Sequence, residues 1–124
     1  MYPEDLKYSK EHEWVRMNGN IAEIGVTVFA QDSLGDVVFI DLPDIGAEIG
    51  QFDKFGEIES VKAVSDLFSP IGGTVVEINP GAIDNPETVN TDPYGTGWLI
   101  KVEMSDLSQL DDLMDAETYE STLD

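Results

Sequence analysis

The sequence predicts a mainly β domain, with one short internal helix and helices at its C-terminal end. Three observations carry this. Short apolar or alternating runs bounded by Gly, Pro and Asn recur through the first two thirds of the chain. Turn signals return about every 8–12 residues, the spacing of a sandwich or barrel. Towards the C-terminus the apolar residues change to helical spacing. The length of 124 residues suits one domain, residues 1–124, with an acidic helical C-terminal part over 103–124.

The elements follow in order. Glu13–Met17 reads as a strand, Asn18-Gly19-Asn20 as a tight turn and Ile21–Val26 as the returning strand. Thr27 is placed to cap a helix over Val28–Leu34 that Gly35 ends. Asp36–Leu42 is β-branched and aromatic and stops at Pro43. Glu48–Ile58 contains Gly50 and Gly56, which fits a bend between strands. Gly72-Gly73 precedes a strand over Thr74–Asn79, and Pro80–Asn90 reads as a turn-rich connection. Gly97–Glu103 is the last strand. Leu107, Leu110, Leu113 and Met114 lie at helical spacing with Ser105 placed to cap, and Asp115 would cap a second helix through Leu123.

Charge narrows the function. There are 26 acids against 6 bases, a formal net charge of −20. Such a surface repels phosphate backbones and anionic lipid, which all but excludes nucleic acid and membrane surfaces as partners. Disorder would need low hydrophobicity too, and 41% hydrophobic residues argues against it. No stretch approaches the roughly 18 apolar residues of a membrane span. The absence of Cys removes disulfides, thiolate metal sites and a Cys nucleophile. The opening MYPEDLKYSK has neither an apolar signal core nor transit character, so a cytoplasmic protein is expected. Residues 1–62 hold 13 acids and 5 bases (−8), and residues 63–124 hold 13 acids and 1 base (−12). Acid spread this evenly suggests surface adaptation to a salt-rich cytoplasm, as in a halophile, where screening tames self-repulsion.

Against that background one lysine stands out. Lys62 is the single base between Lys54 and Lys101, inside Ile58-Glu59-Ser60-Val61-Lys62-Ala63-Val64-Ser65-Asp66-Leu67. The segment is nearly palindromic about the Lys62–Ala63 bond, which suggests a hairpin whose arms pair like with like. Lys62 would then project from the tip of a rigid stem. A lysine in a turn is ordinarily just a solvated charge. Lys-Ala, however, is a poor two-residue turn, since neither residue favours positive φ, so a wider turn built on type I is expected. An isolated, projecting amine is what a carrier needs if an enzyme is to reach and acylate it.

Glu59-Ser60-Val61-Lys62-Ala63 with Ser65-Asp66 resembles the lipoylation motif of the glycine cleavage system H proteins. Tyr8-Ser9-Lys10-Glu11-His12-Glu13-Trp14-Val15 is similar to that family's opening segment, and Leu34-Gly35-Asp36-Val37-Val38-Phe39 to its central helix and strand. Ser69-Pro70-Ile71, Val75–Asn79, Asn85-Pro86-Glu87 and Asp92–Lys101 extend the resemblance in order over nearly the whole chain. The resemblance implies a barrel-sandwich hybrid of two antiparallel sheets, lipoyl-domain-like, with a lipoyl group on Lys62. It implies a carrier and not an enzyme. The carrier would take an aminomethyl group from a pyridoxal-phosphate glycine decarboxylase (P protein) to a tetrahydrofolate-dependent aminomethyltransferase (T protein). Dihydrolipoyl dehydrogenase (L protein) would then reoxidise it. A lipoate ligase or lipoyl transferase would be a further partner, and a mobile carrier is most simply a monomer.

By the same resemblance Glu59 is used in recognition by the lipoylating enzyme, and Glu13 and Asp66 lie near the docked arm. An ordinary solvated or strand-end carboxylate is the competing reading for each. His12, the only histidine, suits a structural or recognition role, since it has no recognisable nucleophile partner. The chain departs from the family's common residues at Glu11, Val28 and Ser33. One alternative is an H-like protein that relays lipoyl groups to 2-oxoacid dehydrogenases. A biotin carrier would show Met-Lys-Met, and here Val61 and Ala63 flank the lysine. A hydrolase would need a G-x-S-x-G elbow, which is missing, and a single His with no Cys disfavours metal hydrolysis. A purely structural acidic module would leave Lys62 unmodified.

Overall fold

The computed structural model describes residues 2–123 and contains two antiparallel sheets. Nine strands form: β1 (Lys7–Tyr8), β2 (Glu13–Asn18), β3 (Ile21–Val26), β4 (Val37–Asp41), β5 (Glu48–Ile49), β6 (Lys54–Ser60), β7 (Val64–Phe68), β8 (Gly73–Ile78) and β9 (Ile100–Met104). The larger sheet has the order β1-β2-β3-β9-β8-β5, and the smaller one β4-β6-β7. Alternating apolar residues of both sheets face inward, so Ile24, Val102 and Val75 of one meet Ile40, Ile58 and Leu67 of the other in one core. A second cluster, Leu6, Tyr8, Trp14, Ala116 and Tyr119, holds the C-terminal segment against β1 and β2. Among the described residues no helix is long and apolar enough to cross a membrane.

Locally coded features form where the sequence puts them. Gly19, at φ 65, makes the turn between β2 and β3. Helix α1 runs over Val28–Leu34, with the Thr27 side chain accepting from the Ala30 N–H and Gly35 at φ 80 ending it. The bend after Glu48 lies at residues 50–53, where the Gly50 N–H donates to Asp53 Oδ2 at 3.2 Å. It moves the chain from the larger sheet to the smaller one.

Other expectations need correction. Pro80–Asn90 is not merely turns: α2 (Pro80–Asp84) and α3 (Thr88–Thr91) form there, the first capped by Asn79 with Pro80 in its first turn. Glu103 and Met104 belong to β9, so the helical C-terminal part begins later, at Leu107. Its first element is a 3₁₀ helix over Leu107–Asp112, capped by Asp106 and not Ser105, because the Asp106 carboxylate accepts the Ser108 N–H. Asp115 does cap the last helix, α4, which ends at Ser121 and not Leu123. The segment between these helices is pinned by one isolated antiparallel bridge, with Tyr8 and Met114 exchanging backbone hydrogen bonds of 2.8 Å each.

The hairpin also differs. Ile58 pairs with Ser65, Glu59 with Val64 and Glu57 with Asp66, so the arms do not pair like with like. The register is displaced by two residues, which leaves each side chain on its expected face. The cause is the turn, which is tighter than expected.

Candidate functional site

The tip of the β6–β7 hairpin is the four-residue turn Ser60–Ala63. The Ser60 N–H donates to Ala63 O at 2.8 Å. The Ser60 hydroxyl oxygen accepts from the N–H groups of both Lys62 and Ala63, at 3.1 Å each. A serine hydroxyl thus closes the turn, which is why Val61 and Lys62 can occupy its centre without positive φ. The tip is braced from outside as well. The Val61 N–H donates to Asp36 O at 3.1 Å. Asn90 holds the adjoining loop through Gly35 O at 2.8 Å and the Val37 N–H at 2.9 Å. Lys62 is exposed, and its aliphatic stem lies over Gly35, where a Cβ would stand 3.2 Å from Lys62 Cε.

A groove opens beside this lysine. Ala63, Ser65 and Asp66 form its hairpin side, Phe29, Ala30 and Ser33 its α1 side, and Glu11, His12 and Glu13 its end. Its volume is about 350 Å³, at the small end of the roughly 300–1,000 Å³ range of ligand sites. An acyl chain on Lys62 would leave the turn next to a part-enclosed trough in which Phe29, Ala30, Leu34 and Leu67 supply apolar surface and Glu11, His12 and Glu13 close one end. These residues therefore fit a lipoyl group. Among the described residues no cluster of three or more His, Cys, Asp or Glu could hold a metal ion.

The groove contains an unusual carboxyl. Glu13 is the one buried acid among the described residues, 2% exposed, and accepts from the Ser9 hydroxyl at 2.6 Å and the Phe68 N–H at 3.3 Å. Burial outweighs those donors and pushes its carboxyl up to about 8. Asp66 is exposed at the rim, 3.3 Å from the Lys54 ammonium, which also pairs with Glu57 at 2.8 Å. His12, at φ 73, lies with its ring 4.7 Å from Phe29, and burial lowers its basicity. Glu11 and Ser33 line the groove and Val28 does not.

Glu59 lies elsewhere. It is on the outward face of the smaller sheet, in one row with Phe39 and Val64, behind the Lys62 tip. Phe39, Val64, Val38 and Val61 are 50–68% exposed. The next row, Asp41–Glu57–Asp66, is wholly acidic. The tip thus separates two surfaces, a groove that contains Glu13 and an apolar face that contains Glu59. Ser60 and Asn90 are site residues to which sequence reasoning assigned no role of their own, and Gly35 was read only as the end of α1. Ser60 had a local signal, as a serine just before a turn. Asn90 acts across 55 residues on Gly35 and had none.

Comparison with known proteins agrees with this geometry. Residues 6–124 match the family described as glycine cleavage H-protein. The glycine cleavage system H protein of Carboxydothermus hydrogenoformans is 57% identical, over 98% of this chain and 94% of that protein. That of Myxococcus xanthus is 54% identical, over 98% and 94%. The crystal structure of a glycine cleavage system H protein from Mycobacterium marinum superposes with a TM-score of 0.90, at 38% identity over 98% of both chains. With its family-wide match, its near-complete coverage and its shared two-sheet fold, the chain belongs to the glycine cleavage H-protein family.

Proposed function

We propose that this protein is the lipoyl carrier of glycine cleavage and that Lys62 bears the lipoyl group. The observation that carries the reading is Lys62 itself, an exposed amine on a braced turn at the mouth of a groove that ends in a buried carboxyl. In the attachment step, neutral Lys62 Nζ attacks the carbonyl carbon of an activated lipoyl donor. An amide forms, the activating group leaves with the electron pair of its broken bond, and the amine proton passes to solvent. The net charge moves from −20 to −21. When bound, the lipoyl disulfide accepts the aminomethyl group made from glycine and leaves a dithiol that must be reoxidised. The protein contributes position and reach and is not itself an enzyme.

Glu13 and Asp66 are the proposed acceptors for an amine brought into the groove. Glu13, kept neutral near pH 7 by burial, would accept from the N–H groups of an uncharged amine through its carboxyl oxygen, with Asp66 as a second acceptor at the rim. Glu59 serves recognition by the lipoate ligase or lipoyl transferase. The groove side would be read by glycine decarboxylase, aminomethyltransferase and dihydrolipoyl dehydrogenase. The protein works as a cytoplasmic monomer, and its acidity adapts the surface to a salt-rich interior.

The test is direct. Incubation with lipoate, ATP and a lipoate ligase should add one lipoyl increment to the intact mass, and Lys62→Arg should abolish it. A folded wild-type protein that acquires no increment would overturn the reading. The lipoylated protein should then accept from glycine in the presence of a matched decarboxylase, and failure at that stage would point to lipoyl relay.

A further inference from the structure

The groove is tied to the far end of the chain by one hydroxyl. Tyr119 Oη lies 2.7 Å from His12 Nδ1 and 2.8 Å from Thr27 Oγ1. Thr27 Oγ1 also accepts the Ala30 N–H at 3.3 Å as the cap of α1, and the Thr27 N–H donates to His12 O at 3.0 Å. The loop that carries His12 and the first turn of α1, two of the segments that line the groove, thus meet at Tyr119. The Tyr119 ring is fully buried and stacks on Tyr8 at 4.8 Å and 8°. It is held whether or not its hydroxyl makes bonds.

Satisfying every polar group assigns these bonds a direction. The buried Thr27 hydroxyl needs an acceptor for its own proton, and Tyr119 Oη is within reach. Tyr119 then gives its proton to His12 Nδ1, which leaves the ring proton on Nε2. Among the described residues Nε2 makes no hydrogen bond. Residue 12 is held at φ 73, a conformation a non-glycine residue keeps only where its surroundings enforce it.

We propose that Tyr119 is the positioning residue of the groove, its hydroxyl fixing His12 so that an Nε2–H donor stands in the same groove as the Glu13 carboxyl. This rests on the reading that the arm on Lys62 docks there. A donor and an acceptor on the lining of one groove suit a neutral primary amine, whose N–H groups go to the carboxyl while its lone pair accepts from Nε2–H. The consequence is chemical. A carbon held between nitrogen and sulfur is lost when the nitrogen lone pair forms C=N and the C–S electron pair leaves on sulfur. Water then adds, and formaldehyde and ammonia are released. A lone pair engaged by His12 cannot drive that expulsion.

The test uses lipoylated protein charged from glycine by a decarboxylase and then freed of it. Tyr119→Phe should be lipoylated at the wild-type rate but release formaldehyde about tenfold faster, the rate equivalent of one hydrogen bond. His12→Phe, which removes the donor itself, should match it. In the uncharged protein the side-chain 15N shifts of His12 should report the Nε2–H tautomer, and Tyr119→Phe should shift them toward a tautomer mixture. If charging the wild type leaves the amide shifts of Ala30 and Ser65 unchanged, the docking reading falls and this inference with it. If those shifts move while both variants hold the carbon as long as the wild type, Tyr119 has no positioning role.

Discussion

Glu13 is the residue at which environment most strongly changes chemistry. Burial raises its carboxyl from 4.5 to about 8. Between those values the unfolded chain has lost this proton and the folded chain keeps it. Its contribution to stability is therefore complete below about pH 4.5 and is lost as pH rises through about 8. At about 1.4 kcal/mol per unit the loss is at most about 5 kcal/mol. Glu13→Gln cannot ionise, so its stability relative to wild type should rise across that window, as read from urea midpoints at each pH. A constant difference would mean that Glu13 is charged in the fold. Ser60 offers a second test. Ser60→Ala strips the acceptor from two amides of the turn, Lys62 N–H and Ala63 N–H. We expect a loss of about 1 kcal/mol and faster exchange of those two amides. Lipoylation should slow as Lys62 loses its fixed presentation.

At the scale of elements, what was legible was local. Thr27 and Gly35 bound α1 because a capping hydroxyl and a positive-φ residue act within their own turn. The Lys62 hairpin was legible too, but not its register, which Ser60 sets by a bond that palindromic symmetry does not encode. Glu13 and Asp66 both border one groove, but the Asp66 side chain stands in an outward row, on the same face of the sheet as Glu59. Asn90 with Gly35, and Tyr119 with His12, act over 55 and 107 residues, and no local pattern signals such pairs. The outward face yields a prediction at this scale. Phe39→Asp lies at an exposed site, so stability should stay within about 0.5 kcal/mol. The row it breaks adjoins Lys62, and we expect slower lipoylation at unchanged urea midpoint. An unchanged rate would remove the apolar row from the recognition surface and leave Glu59 to act alone. The α1 end gives the complementary case. Gly35→Ala meets both positive φ and the Lys62 stem, and should cost about 1 kcal/mol and displace the lysine.

The whole molecule is governed by its charge. Of the six bases, Arg16, Lys54 and Lys101 form ion pairs, with Glu23, Glu57, Asp66 and Glu77. Most of the 26 acids therefore repel one another across the surface. Exposed pairs of this kind contribute only about 0–1 kcal/mol each, so they cannot offset that repulsion. Screening can. The Debye length falls from about 30 Å at 0.01 M salt to about 8 Å at 0.15 M and about 3 Å at 1 M. The first step removes repulsion between acids on different sheets and the second between near neighbours. We expect the melting temperature to rise throughout, most steeply below 0.15 M, with about 2–4 °C for each kcal/mol relieved. NaCl and KCl should act alike if the cause is screening and not a bound ion. Neutralising several exposed acids of the outer row, as in Asp41→Asn with Glu57→Gln, should flatten the curve. A melting temperature that ignores salt would show the self-repulsion to be negligible, and adaptation to a salt-rich interior would lose its physical basis.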